Sequence, residues 1–121
     1  MPSTDELSRF IASSFPSVWS LELLLLLKAE RRLWTQDQLI GSLRASELVV
    51  SQALASLVAG GLASLSDQGV EYMPISDPVA ALVDQTEELY RRKPDAVRRM
   101  VVMSGASEIT AFADAFRLRK E

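Results

Sequence analysis

The chain is predicted to be mostly α with one small β-hairpin. Apolar residues recur at three- and four-residue spacing through most of its length, and small polar residues stand where those stripes begin. Only between residues 62 and 73 does a two-residue alternation, set around Asp67-Gln68-Gly69, replace the helical period. With 121 residues, 48% of them apolar, the sequence can build one ordinary core, so a single compact unit is expected.

Ser3 or Thr4 caps a first helix whose Leu7, Phe10 and Ile11 share a face, and Phe15-Pro16 follows its end. Ser17 caps a second helix that is apolar on nearly every side through Leu27, which implies neighbours all round it. Lys28, Arg31 and Arg32 close that helix against the negative end of its dipole. Arg32-Leu33-Trp34 reads as a short strand. Thr35 and Gln38 have capping-box spacing and open a helix over 36–43. A turn of about three residues leads to a second cap at Ser46, the length that joins two crossed helices. In the helix that follows, Val50, Ala53, Leu54, Leu57 and Val58 form the core stripe, and Gly60-Gly61 ends it with a left-handed cap.

Strands are expected at 62–66 and 70–73, with glycine in the turn where positive φ is wanted. Asp77 is the expected cap of the next helix and Pro78 its first residue, with Val79, Leu82, Val83, Thr86, Leu89 and Tyr90 on one face. After a break at Lys93-Pro94, Val97, Met100 and Val101 point inward in a helix ended by Ser104-Gly105. Ser107 caps a last helix in which Ile109, Phe112, Ala113 and Phe116 repeat. Trp19, Phe112 and Phe116 lie on apolar stripes and are expected in the core or in a dimer interface.

Cysteine and histidine are both absent, which removes disulfides, thiolate and imidazole metal sites, Ser-His-Asp and Cys-His nucleophiles, and imidazole acid-base chemistry. No enzyme activity, cofactor or metal is expected. The longest apolar run, from Val18 to Leu27, is half of the about 20 residues that cross a bilayer. The N-terminal residues lack a basic stretch before an apolar one, so the expectation is a cytoplasmic protein without a membrane partner. Thirteen basic against sixteen acidic residues give a net charge of -3, a field that repels polyanions.

Residues 17 to 73 resemble the winged helix-turn-helix domains of bacterial transcriptional regulators, in the manner of the MarR-like and related families. The matching features are the capped helix of Thr35 to Leu43, the cap at Ser46, the Ala53-Leu54 and Leu57-Val58 pairs, Gly61-Leu62 and the Gly69 hairpin. The resemblance covers about half the chain. It implies a second helix laid in the major groove, a wing on the adjacent backbone, and a homodimer. Residues 1–76 would then be the winged helix-turn-helix with its N-terminal helix. Residues 77–121 would be a helical extension of the same compact unit, sharing a dimer interface of Phe10, Ile109, Phe112 and Phe116. By analogy with effector pockets in related regulators, Trp34 is a candidate edge of a small-molecule site.

The helix implied to read DNA carries no Lys or Arg from Ser46 to Gly61. Its face opposite the core stripe holds Leu48, Gln52, Ala55 and Ala59, flanked by Glu47, Val49, Ser51 and Ser56. From Thr35 to Ser76 the single cation Arg44 stands against Asp37, Glu47, Asp67 and Glu71, a balance of -3. Two functions follow as expectations. The first is a winged-helix regulatory protein, a dimeric transcriptional regulator with weak or partner-assisted DNA binding. In it Arg44, Ser51, Gln52 and Ser56 contact DNA, and Arg31, Arg32, Arg91, Arg92, Lys93, Arg98 and Arg99 supply phosphate contacts. The second is a protein-interaction module that presents Leu48, Val49, Gln52 and Ala55, beside Glu47, to a protein partner. The basic cluster also has a local reading, as i,i+4 pairs of Glu87 with Arg91 and Glu88 with Arg92. For a small-molecule effector, the sequence identifies no ligand.

Overall fold

The computed structural model describes residues 4–102. They form α1 (Thr4–Ser14), α2 (Val18–Ala29), α3 (Gln36–Leu43), α4 (Glu47–Ala59), β1 (Ala63–Ser66), β2 (Gly69–Tyr72), α5 (Asp77–Arg92) and a sixth helix, α6, over 94–102. The architecture is therefore mostly α with a two-stranded antiparallel hairpin. The expected Ser104-Gly105 stop and the last helix, with Ile109, Phe112 and Phe116, lie outside the described residues.

The hub of the fold is α2. Leu21, Leu23, Leu24 and Leu27 have no exposed surface, as a helix apolar all round requires, and α2 packs on α3, α4 and β2. Local chemistry starts each of these helices. The Ser17 side chain accepts from the Ser20 N–H at 3.2 Å, while Ser20 Oγ accepts from the Ser17 N–H at 3.4 Å. Thr35 and Gln38 make the same reciprocal box on α3, and Ser46 accepts from the Val49 N–H at 3.1 Å on α4.

Val50, Ala53, Leu54 and Leu57 of α4 are buried against α2 and α3. Val58, expected in the same stripe, is instead 38% exposed. Eight residues turn a helix by about 80° beyond whole turns, enough to carry Val58 out of the stripe that Val50 begins. The helix ends as expected. Leu62 N–H donates to the Leu57 carbonyl at 2.9 Å and Gly61 N–H to that of Val58 at 3.1 Å, with Gly61 at φ +73°.

The hairpin turns on two residues, Asp67 and Gln68, since Ser66 pairs with Gly69. Its strands are offset by one from those expected, with Gly69 inside β2. The anticipated strand at Trp34 is a single antiparallel bridge to Val70, made by two backbone hydrogen bonds of 2.8 Å. Gly69 permits it. A Cβ there would stand 2.6 Å from the Trp34 carbonyl oxygen, and φ is +141°.

The cap of α5 is Ser76, whose side chain accepts from the Val79 N–H at 3.3 Å, and not Asp77, which occupies the first helical position ahead of Pro78. A carboxylate there still complements the helix dipole. Packing of α5 on α1, and of Val83, Val97 and Val101 into the common core, joins residues 77–102 to the same body. Lys28 of α2 reaches across to Glu87 at 2.7 Å and Asp84 at 3.2 Å of α5. The expected Glu87–Arg91 pair is thereby replaced. Glu87 is held by Lys28, and Arg91 and Arg92 both turn to Glu88.

Candidate functional site

The turn between α3 and α4 fixes which side of α4 faces outward. Arg44 ends α3 in the left-handed conformation, φ 54°, and Ala45 N–H donates back to the Ile40 carbonyl at 3.3 Å. Beyond it, Glu47, Leu48, Ser51, Gln52 and Ala55 are exposed, with Val49 and Ser56 half-buried, so the helical wheel placed this face correctly. Leu48 leaves 66% of its surface in water. Ser51 accepts from Gln36 Nε2 at 2.7 Å, and Ser56 Oγ donates to the Gln52 carbonyl at 3.1 Å. The Gln52 amide has no partner among the described residues.

A cleft runs along each flank of α4. On one side Trp19, Pro16, Val49 and Gln52 border about 340 Å³. Trp19 is 42% exposed, so of its two expected places, the core or a dimer interface, the core is corrected. On the other side a cleft of about 470 Å³ lies between α4 and β1, lined by Ser51, Ala55, Val58, Ala59 and Leu65 with Gln36. Leu65 is the informative residue here. It is the cross-strand partner of Val70 and so shares its face of the hairpin, yet Val70 is buried and Leu65 is 61% exposed. The methyl groups of Ala55 and Ala59 opposite do not cover it. Sequence reasoning singled out neither Trp19 nor Leu65 as surface.

The predicted basic patch separates into groups with local partners. Arg32 lies 3.6 Å from the Trp34 ring centroid and donates to the Leu33 carbonyl and Gln38 Oε1, while Arg31 stands over Tyr72 at 5.2 Å. These are cation–π placements that cover aromatic faces. Trp34 itself is 3% exposed and its Nε1–H donates to the Glu30 carbonyl at 3.0 Å, and it lines none of the clefts flanking α4 or bordering Arg98. Arg98 stands between Asp95, at 3.4 Å, and the Tyr90 ring, at 5.4 Å. It also lines a cleft of about 570 Å³ with Trp19, Glu22 and Leu43. Lys93 and Arg99 are exposed. Phe10 meets Phe15 edge to face with ring centroids 6.0 Å apart, packed against the chain's own core.

The acids divide in the opposite sense. Glu30, Asp84, Glu87, Glu88 and Asp95 each hold a cation, and Glu22 accepts from the Tyr90 hydroxyl. Asp37, Glu47 and Asp67, around α4 and the hairpin tip, are exposed and have no ion-pair partner among the described residues. The displaced proton equilibria lie away from that face. The hydrogen bond to Glu87 raises the Lys28 pKa against the desolvation that lowers it, and burial pushes the Tyr72 and Tyr90 phenols up.

Among the described residues no three Asp or Glu side chains converge as a metal would require, and no single helix is long and apolar enough to cross a membrane. No family model, curated protein or solved structure matches this chain. The α4 face offers the apolar Leu48, Val49 and Ala55, the Gln52 amide, the Ser51 and Ser56 hydroxyls, and one carboxylate, Glu47, at its N-terminal end.

Proposed function

We propose that this chain is a winged-helix regulatory protein whose α4 and hairpin dock a protein partner. The order α3, short turn, α4, hairpin, with Trp34 bridged to β2, supports the winged-helix reading. The observation that carries the docking reading is the exposure of Leu48, Val58 and Leu65 on a face whose helix has no cation. Apolar side chains left in water on one face are stabilised by a covering surface, whereas grip on a nucleic acid depends on Lys and Arg at phosphates. The cations near the hairpin, Arg31 and Arg32, lie over the chain's own aromatic rings.

The proposal includes a cytoplasmic homodimer whose two-fold contact lies away from the α4 face, leaving that face to the partner. The test is a mobility-shift series on pooled duplex fragments from about 50 to 200 mM salt. No retained complex is expected at the upper end. A complex that persists there, weakens with salt in proportion to several phosphate contacts, and is lost in Gln52→Ala would overturn the docking reading in favour of base recognition.

A further inference from the structure

We infer that the groove between α4 and β1 receives a basic amphipathic helix of the protein partner. This rests on the docking reading above and names the chemistry of what docks. The groove is the unfinished edge of a core. Leu65 lies on the same hairpin face as buried Val70, and across from it the α4 wall is Ser51, buried Leu54, Ala55, Val58 and Ala59. Small residues one turn apart let a second backbone approach closely, and the exposed Val58 and Leu65 give its side chains something to fill against. From Leu48 to Ala59 the helix rises roughly 16 Å at 1.5 Å per residue, which matches three turns of a partner helix with apolar anchors at i, i+4 and i+7.

The charge of the partner follows from the acids close in sequence to the groove residues. Asp37 follows Gln36 of the groove wall, Glu47 stands one turn before Ser51, and Asp67 is two residues beyond Leu65. All three are exposed with no ion-pair partner among the described residues, while Asp84, Glu87 and Glu88 of α5 are taken by Lys28, Arg91 and Arg92. A second copy of this face would bring like carboxylates together, which disfavours a two-fold contact here. A helix flanked by Lys or Arg meets the same carboxylates with opposite sign.

The experiment is selection from a random 16-residue peptide display library on the full chain. Parallel selections use Val58→Asp, Leu65→Asp and the triple variant Asp37→Lys, Glu47→Lys, Asp67→Lys. Expected are net-positive sequences with apolar residues at helical spacing, bound roughly tenfold or more weakly by either groove variant. The triple variant should invert the preference and enrich acidic sequences. Leu65→Asp, on an exposed strand position, keeps the test open if Val58→Asp disturbs α4. Neutral or acidic sequences that still depend on Val58 and Leu65 would overturn the basic-helix inference and leave protein docking standing. Enrichment indifferent to both groove variants, or no enrichment, overturns the inference outright. If duplex DNA then holds the chain through Gln52, the docking reading falls as well.

Discussion

Replacing Gly69 with alanine tests whether the hairpin is fixed to the helical body through Trp34. The φ of +141° lies in a region that essentially only glycine occupies, and residues held in such regions cost about 1–3 kcal/mol. The new Cβ would stand 2.6 Å from the Trp34 carbonyl oxygen and 3.2 Å from its carbonyl carbon, so one backbone must withdraw. Withdrawal breaks the two 2.8 Å hydrogen bonds of the Trp34–Val70 bridge, at about 1 kcal/mol each. The expected loss is therefore about 3–5 kcal/mol, a large share of the 5–15 kcal/mol typical of a domain. Urea unfolding followed by tryptophan fluorescence measures it, since Trp34 is buried in the folded state. A loss below about 1 kcal/mol with an unchanged denaturant slope would refute the reasoning. Partial retention of fold has its own consequence. Leu65 would be carried off the groove with the hairpin, and peptides selected on the parent chain should bind the variant more weakly.

Arg44→Gly should raise stability by up to about 1 kcal/mol, because glycine adopts the left-handed conformation at φ 54° without the steric cost an arginine bears; a lower urea midpoint would contradict this. Leu48→Asp, on a side chain 66% exposed, should change unfolding free energy by no more than about 0.5 kcal/mol while abolishing partner capture, checked by melting and by binding of selected peptides. Lys28 gives an alkaline prediction. Its folded pKa lies above the unfolded one, so its contribution is complete below the unfolded value near about pH 10.4 and is lost as pH climbs through the folded value. Lys28→Met should be less stable than the parent at pH 8, by about 1 kcal/mol or less because Asp84 is 62% and Glu87 39% exposed, and the gap should close as pH rises through the folded value. Tyr72 and Tyr90, with pKa values raised by burial, add a fall over the same window in both proteins. Equal stability at pH 8 would show that the ion pairs do not tie α2 to α5.

What could be read from the sequence was local chemistry. The caps at Ser17, Thr35 and Ser46, the bounds of α3 and the end of α4 depend on residues within four positions of one another, and they stand where the spacing put them. The outward face of α4 was equally legible, because its core stripe has a clear polar and small-residue opposite. Trp19 was not. On a helix apolar all round, periodicity gives no direction, and what exposes Trp19 is the surroundings that α4 and the segment before α2 provide. The same limit explains Glu87, whose nearest cation by spacing is Arg91 but whose actual partner, Lys28, lies 59 residues away. Leu65 required knowing both its register with Val70 and the size of the residues across the groove.

The distribution of charge gives these misplacements a common sense. Among the described residues, cations and acids pair across helices between α2 and α5, where Lys28 holds Asp84 and Glu87. On the α4 and hairpin side there is no such pairing among the described residues, although Asp37, Glu47 and Asp67 are within a short chain distance of the exposed leucines. Asp37 and Glu47 stand in the first turns of α3 and α4, where a carboxylate complements the helix dipole, but the uncovered Leu48 and Leu65 near them cost solubility and gain nothing for the isolated fold. That combination is accounted for by a surface that is completed when another chain brings both the apolar cover and the positive charge.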